Sequence, residues 1–174
     1  MALALEQARA EARRGGRPVC ALIVRNGKIV GQGLNSVIAD INPNAHAEIN
    51  AIRNACAKLD TPDFHAVSLS GSTLYTTLEP CPMCFSTTIL AAKIKRVVLG
   101  ARHARVGRKD LGDYSVESFL AFIKHNDVEI VTGVREAECE ELRLEWLQSL
   151  SDEQVRLELL RSRASHDQGG ENTR

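Results

Sequence analysis

Cys81 and Cys84, in the stretch EPCPMC, stand at i and i+3 where a helix is predicted to start. That spacing turns two sulfurs toward one point. A helix N-terminus lowers thiol pKa values and so favours the thiolate that a metal ion needs. Pro80 holds Glu79 extended, and Pro82 suits a first helical turn, where a missing N–H costs little. A C-x-x-C pair alone fits a redox couple, half of a structural zinc site, or two ligands of a catalytic one. A structural site needs four protein ligands, and no second pair stands in the chain. His65, His103, His125 and His166 are isolated and read as surface or loop histidines.

Upstream, NAHAEINAI carries His46 and Glu48 at i and i+2 of another predicted helix. Helical neighbours lie three or four residues apart, so both are not expected to hold one ion. His46 in its first turn mirrors the two cysteines in theirs. Three ligands with an open fourth position, filled by water, make a catalytic zinc site, and Glu48, offset from the histidine, is placed to handle protons there. Two thiolates and a neutral imidazole cancel the charge of Zn²⁺ and leave a mild Lewis acid, so water activation needs such a base.

The elements that must position these residues are legible along the chain. Helix formers over residues 1–14 stop at Gly15-Gly16. Two β-rich runs around Asn26-Gly27 predict a hairpin. A helix is expected over 45–59 with Asn44 as its N-cap, a buried strand over 72–78, and a helix through PMCFSTTILAAKI. Then come a short strand ending at Gly100, a polar basic loop over 101–114, a helix in SVESFLAFIKHN, a strand in VEIVTGV, and an amphipathic helix from 135 to about 160. A loop plus a helix between the last two strands favours parallel pairing. The order predicts an α/β fold, a three-layer α/β/α sandwich around a mixed five-stranded sheet with the last two strands parallel. One domain over 1–160 and a polar, disordered tail over 161–174 are expected.

Composition sets outer limits. The 174 residues carry 22 basic and 22 acidic side chains, which argues against a general nucleic-acid or membrane-surface binder. Neither a secretory h-region nor a membrane-length apolar run is present, and the five cysteines, an odd number, do not suggest a disulfide framework, so a cytoplasmic protein is expected. Cys20, Cys56 and Cys139 read as small buried hydrophobes.

NPNAHAEINAI and STLYTTLEPCPMC together resemble the paired H-x-E and P-C-x-x-C segments of the cytidine-deaminase-like superfamily of zinc deaminases. KIKRVVLGAR and VEIVTGVREAECEEL are similar to its later strand and last helix, so the resemblance runs from about residue 3 to 146. It implies zinc on His46, Cys81 and Cys84, with Glu48 moving protons between water, the ring nitrogen and the departing ammonia. It implies that Asn35, in GQGLN, contacts the substrate base. That residue read alone is equally a turn asparagine satisfying its own backbone. Superfamily members named by the likeness are tRNA adenosine deaminases, bacterial guanine deaminases and fungal cytosine deaminases.

Substrate is the thinner reading. Phe85 stands where tRNA deaminases have a small residue, and a bulky side chain there is expected to narrow the entrance. Asp113 lies in a region comparable to an acidic residue that assists proton transfer in some guanine deaminases. These features favour a free nucleobase or related heterocycle of guanine, cytosine or triazine type, with no nucleic-acid or membrane partner. The alternatives are a tRNA adenosine-to-inosine deaminase, for which ARHARVGRK offers a basic loop, and a non-catalytic zinc or redox protein. Apolar residues on more than one face of CFSTTILAAKI predict a homodimer through that helix.

Overall fold

Gly15, at φ +83°, ends the first helix where the sequence places its stop: α1 spans Ala2–Arg13. The computed structural model describes residues 1–59, 67–107 and 110–154. Strands β1 (Cys20–Arg25) and β2 (Lys28–Leu34) form the expected hairpin. Its two-residue turn has Asn26 at φ +52° and Gly27 at φ +72°, the backbone that matches the right-handed twist of the strands. There follow α2 (Ala47–Cys56), β3 (Thr73–Leu78), α3 (Pro82–Ser86), a π-helical turn over Thr87–Ala91, and β4 (Arg96–Ala101). The chain continues through a 3₁₀ turn at His103–Arg105, α4 (Val116–Ile123), β5 (Glu129–Val131) and α5 (Glu136–Ser149).

The five strands make one mixed sheet in the order β2-β1-β3-β4-β5, with β1 antiparallel to both neighbours and β3-β4 and β4-β5 parallel. The register separates the two faces. Gly33, Ala21, Thr76 and Leu99 lie across from one another, and on that face Gly33 meets α2. Gly100, one residue on, points the other way and meets Cys139 of α5. Helix α1 packs beside α5, and α2 beside the π-helical turn, so the sheet is the middle of three layers.

Helix α2 sits unusually deep. Its buried face is Ala47, Ala51 and Ala55, and opposite them β2 offers Gly31 and Gly33. A Cβ on Gly33 would stand 2.2 Å from the carbonyl oxygen of Ala47, and one on Gly31 2.3 Å from that of Ala51. Backbone therefore packs on backbone, and this sets the height at which the start of α2 meets the sheet.

Some boundaries differ from the sequence expectation, each for a local reason. His46, not Asn44, is the N-cap residue of α2, in extended conformation. The helix after Pro82 widens into a π turn where two adjacent threonines bond back to i−4 carbonyls, Thr87 to Met83 at 2.9 Å and Thr88 to Cys84 at 2.8 Å. The last helix stops at Ser149, because Ser151 and Gln154 cap one another and begin a new turn at 152–154. The rest of the long helix and the 161–174 tail lie outside the described residues. Among the described residues, no helix is long and apolar enough to cross a membrane.

Gly33→Ala is expected to destabilise the fold by roughly 1–3 kcal/mol, since the added methyl group must push α2 away from β2. Thermal unfolding checks it; an unchanged midpoint would mean that α2 does not rest on this strand.

Candidate metal centre

Two helices bring their first turns to one place. His46 is the N-cap residue of α2 and Cys81 that of α3, both extended (φ −73°, ψ 156° and φ −68°, ψ 167°), and neither side chain caps its own helix. Cys84, one turn into α3, is buried beneath them. His46 Nδ1 lies 3.6 Å from Cys81 Sγ and 3.4 Å from Cys84 Sγ. The three ligand atoms fall within 4.8 Å of one another. With Zn–S near ~2.3 Å and Zn–N near ~2.05 Å, tetrahedral coordination puts sulfur and nitrogen about 3.6 Å apart, so this donor set fits zinc as it stands.

The proton inventory supports the same ion. Cys81 is pulled down to about 4, first because the Cys84 thiol donates to it and then through its bond with His46. Cys84 is pushed up by that same hydrogen bond and by burial, and His46 is pushed up by its bond to Cys81. Without a cation, one thiolate is held by shared protons; a dication would take their place and leave two thiolates and a neutral imidazole.

Glu48 enters from the first turn of α2 and is 3% exposed. Burial pushes its carboxyl up to about 7. Its carboxylate accepts from its own backbone N–H and from the Cys84 thiol, while Thr76, at 3.5 Å, donates better to the carbonyl of Leu78, at 2.8 Å.

His46, Glu48, Cys81 and Asn35 line one pocket together with Arg17, Val19, Leu78, Glu79, His103 and Arg143. Asn35 faces this pocket, and its Oδ1 accepts a long 3.4 Å bond from the Val37 N–H. Phe85 is fully buried with its ring 5.7 Å from that of Phe119, in the core and not among the lining residues. Asp113 is exposed and likewise absent from the lining. Of the isolated histidines, His103 departs from the surface reading: it is 3% exposed and forms part of the wall.

Two buried side chains that motif reading passed over hold the wall in place. Glu79 accepts from the backbone N–H groups of His103 and Val116, both at 3.0 Å, and pairs with Arg102 at 3.4 Å. Together with the Tyr114 hydroxyl, which donates to the Pro80 carbonyl at 2.8 Å, it straps the segment after β4 onto the Glu79-Pro80-Cys81 corner. Asn50 donates to the Leu34 carbonyl at 2.8 Å and to Ser36 Oγ at 2.9 Å, which ties the Asn35 turn to α2. The only sequence signal for either was a polar residue on an inward-facing position.

The zinc assignment has a direct check. The protein is expected to hold about one zinc per chain, the Cys81→Ala, Cys84→Ala double variant almost none. Since binding expels protons from Cys84 and His46, affinity should weaken as pH falls. Stoichiometric zinc in the double variant by elemental analysis would place the ion elsewhere.

The model of the cytidine and deoxycytidylate deaminase zinc-binding region matches residues 1–101. The chain is 40% identical over 130 residues to a tRNA-specific adenosine deaminase of Buchnera aphidicola, covering 74% of each. It is 35% identical over 154 residues to the tRNA-specific adenosine deaminase of Haemophilus influenzae, 88% of this chain and 84% of that one. Among solved structures it is similar to a guanine deaminase from Nitrosomonas europaea at a TM-score of 0.70, with 30% identity over 83% of this chain and 81% of the other. The match spans both ligand-bearing helices, and with it the chain belongs to the deaminases that share the cytidine and deoxycytidylate deaminase zinc-binding region.

Proposed function

We propose that this protein hydrolyses the exocyclic amino group of adenosine presented on tRNA, yielding inosine and ammonia in the cytoplasm. His46, Cys81 and Cys84 would hold zinc, a mild Lewis acid that would lower the pKa of water. Glu48 accepts one proton from the attacking water and passes it to the ring nitrogen beside the amino-bearing carbon, then carries the remaining hydroxyl proton to the amino group, which leaves as ammonia as the carbonyl forms. A carboxyl near neutrality, kept there by burial, can both take and give protons at working pH.

The observation that carries the substrate reading is the shape of the space. Beside the ligands the cavity is only about 40 Å³. It meets, at Arg17 and Asn35, a groove of about 210 Å³ lined also by Glu11, Arg14, Gly15, Gly16, Ser36, Ile38 and Ala39. Sites that swallow a whole small molecule run to ~300 Å³ or more. A base entering edge first, with its ribose and phosphate left in a groove bearing two arginines, fits better than a free base. Arg14 pairs with Glu11 at 3.5 Å but is 70% exposed, so the pair is weak and the guanidinium can turn to a phosphate. The relatives named as tRNA-specific enzymes support the same reading. The expectation of a free base with no nucleic-acid partner, drawn from the neutral charge and from Phe85, gives way to it.

The free purine base remains the second reading, on a specific ground. Two arginines of the basic loop expected to meet phosphates are already paired, Arg102 with Glu79 and with Glu117 at 2.6 Å and Arg105 with Glu140 at 3.6 Å, while Arg108 and Lys109 lie outside the described residues. The likeness to the guanine deaminase points the same way.

Three outcomes are expected. An anticodon stem–loop RNA should acquire inosine, with KM rising as salt rises and rising further in Arg17→Ala; ammonia from guanine with no inosine in RNA would reverse the order of the two readings. Glu48→Gln should retain zinc and lose ~10²–10⁴-fold in rate, and a near-normal rate would move the proton work to another group. We propose also a homodimer through the helical segment CFSTTILAAKI, where Leu90 is 48% exposed beside an exposed Ala91; a monomer mass by light scattering at micromolar concentration would refute it.

A further inference from the structure

Helix α5 turns four residues inward: Cys139, Leu142, Arg143 and Trp146. Three suit an apolar stripe, and the fourth is an arginine only 6% exposed. A charged side chain in that position carries a desolvation cost that a leucine would not. Arg143 lines the pocket that holds His46, Glu48, Cys81 and Asn35, although it belongs to the far end of the chain. Its guanidinium carbon lies 4.4 Å from the centre of the Trp146 ring, which fixes the plane of the guanidinium before any ligand arrives.

We propose that Arg143 is the specificity-determining residue of the pocket: its guanidinium N–H groups donate to acceptor atoms, a ring nitrogen or a carbonyl oxygen, on the edge of the base turned away from the zinc ligands. The inference rests on the deaminase reading above. Its chemistry is distinct from that of Asn35, whose amide both donates and accepts and so tolerates either kind of edge. Arg143 only donates. It therefore favours a base whose far edge accepts, and rejects one that places an amino group or a C–H there. Glu48 and the metal ligands face the edge that loses its amino group, so the two ends of the base are read by opposite chemistries.

The test compares the zinc-loaded protein with Arg143→Leu and Arg143→Lys. One arm measures kcat/KM on an anticodon stem–loop RNA whose target is adenosine, 3-deazaadenosine or 7-deazaadenosine. The other measures calorimetric binding of hypoxanthine and 7-deazahypoxanthine. In the wild type, removal of one ring acceptor is expected to cost roughly tenfold or more, the range of a lost charged contact to a base edge. Arg143→Leu should raise KM for the parent more than it lowers kcat, and bring the parent-to-deaza ratio toward one; Arg143→Lys should recover part of it. A purely structural role would lower thermal stability and leave that ratio where it was, and this result, with zinc content intact, overturns the proposal. So does a wild type indifferent to every deaza replacement, or one that binds no purine. Acceptor-dependent binding without any turnover would instead sink the deaminase reading and leave the assignment of Arg143 standing.

Discussion

Nitrogen and sulfur atoms that compete for the same protons are crowded together where α2 and α3 begin, and the other features of the site follow from that crowding. His46 Nδ1 stands 3.4 Å from one sulfur and 3.6 Å from the other. Such a group is tolerable either with shared protons or with a dication, and the second state has no need of the protons. Helix N-termini lower the cost of the thiolates. Their convergence depends in turn on the depth of α2, which the missing side chains of Gly31 and Gly33 permit. A methyl group on Gly33, pressed against the carbonyl of Ala47 next to His46, would therefore be felt at the ligand, because protein interiors transmit such shifts rather than absorb them.

A second buried carboxylate extends this order to the pocket wall. Glu79 is 3% exposed, a position that an ionised group occupies only when its oxygens are well supplied. It receives two backbone N–H groups and a guanidinium, all from the segment after β4. The residue beside Cys81 thus decides where His103 sits, and the metal corner and the wall opposite are built as one piece. From the sequence Glu79 was only the residue that Pro80 holds extended; the structure makes it the anchor.

What was legible in the sequence was what the chain states over short distances. Asn26-Gly27 gives its turn by backbone preference alone, C-x-x-C and H-x-E declare their chemistry within four residues, and the helix-and-loop spacing between β4 and β5 dictates their parallel pairing. Illegible were the residues whose roles arise from contact across the fold. Arg143 is 95 residues beyond Glu48 in number, and only the packing of α5 on the sheet brings the two to one pocket. Its single trace was a charge at the i+4 position from Cys139 on an otherwise apolar stripe. His103 looked like part of a basic loop because nothing local reports the carboxylate that pulls it inward. Phe85 misled for the complementary reason: nearness in sequence to a ligand is not nearness to the substrate, and its side chain lies on the Phe119 side of α3.

The site therefore divides into two parts with different tolerance for change. Chemistry resides in a continuous stretch from His46 to Cys84, where helix ends, a deep α2 and the Glu79 anchor leave little freedom. The residues proposed for recognition, Arg17 and Asn35 before that stretch and Arg143 after it, line the same pocket. None of these three belongs to the metal-ligand set: Arg17 stands in the loop before β1, Asn35 directly follows β2, and Arg143 lies on α5. A substitution at Arg17 or Arg143 can alter which edge of a base is welcome, or how its phosphate is met, without disturbing the ligand geometry. The fold thus holds the ligand geometry more tightly than it holds the outer wall of the pocket.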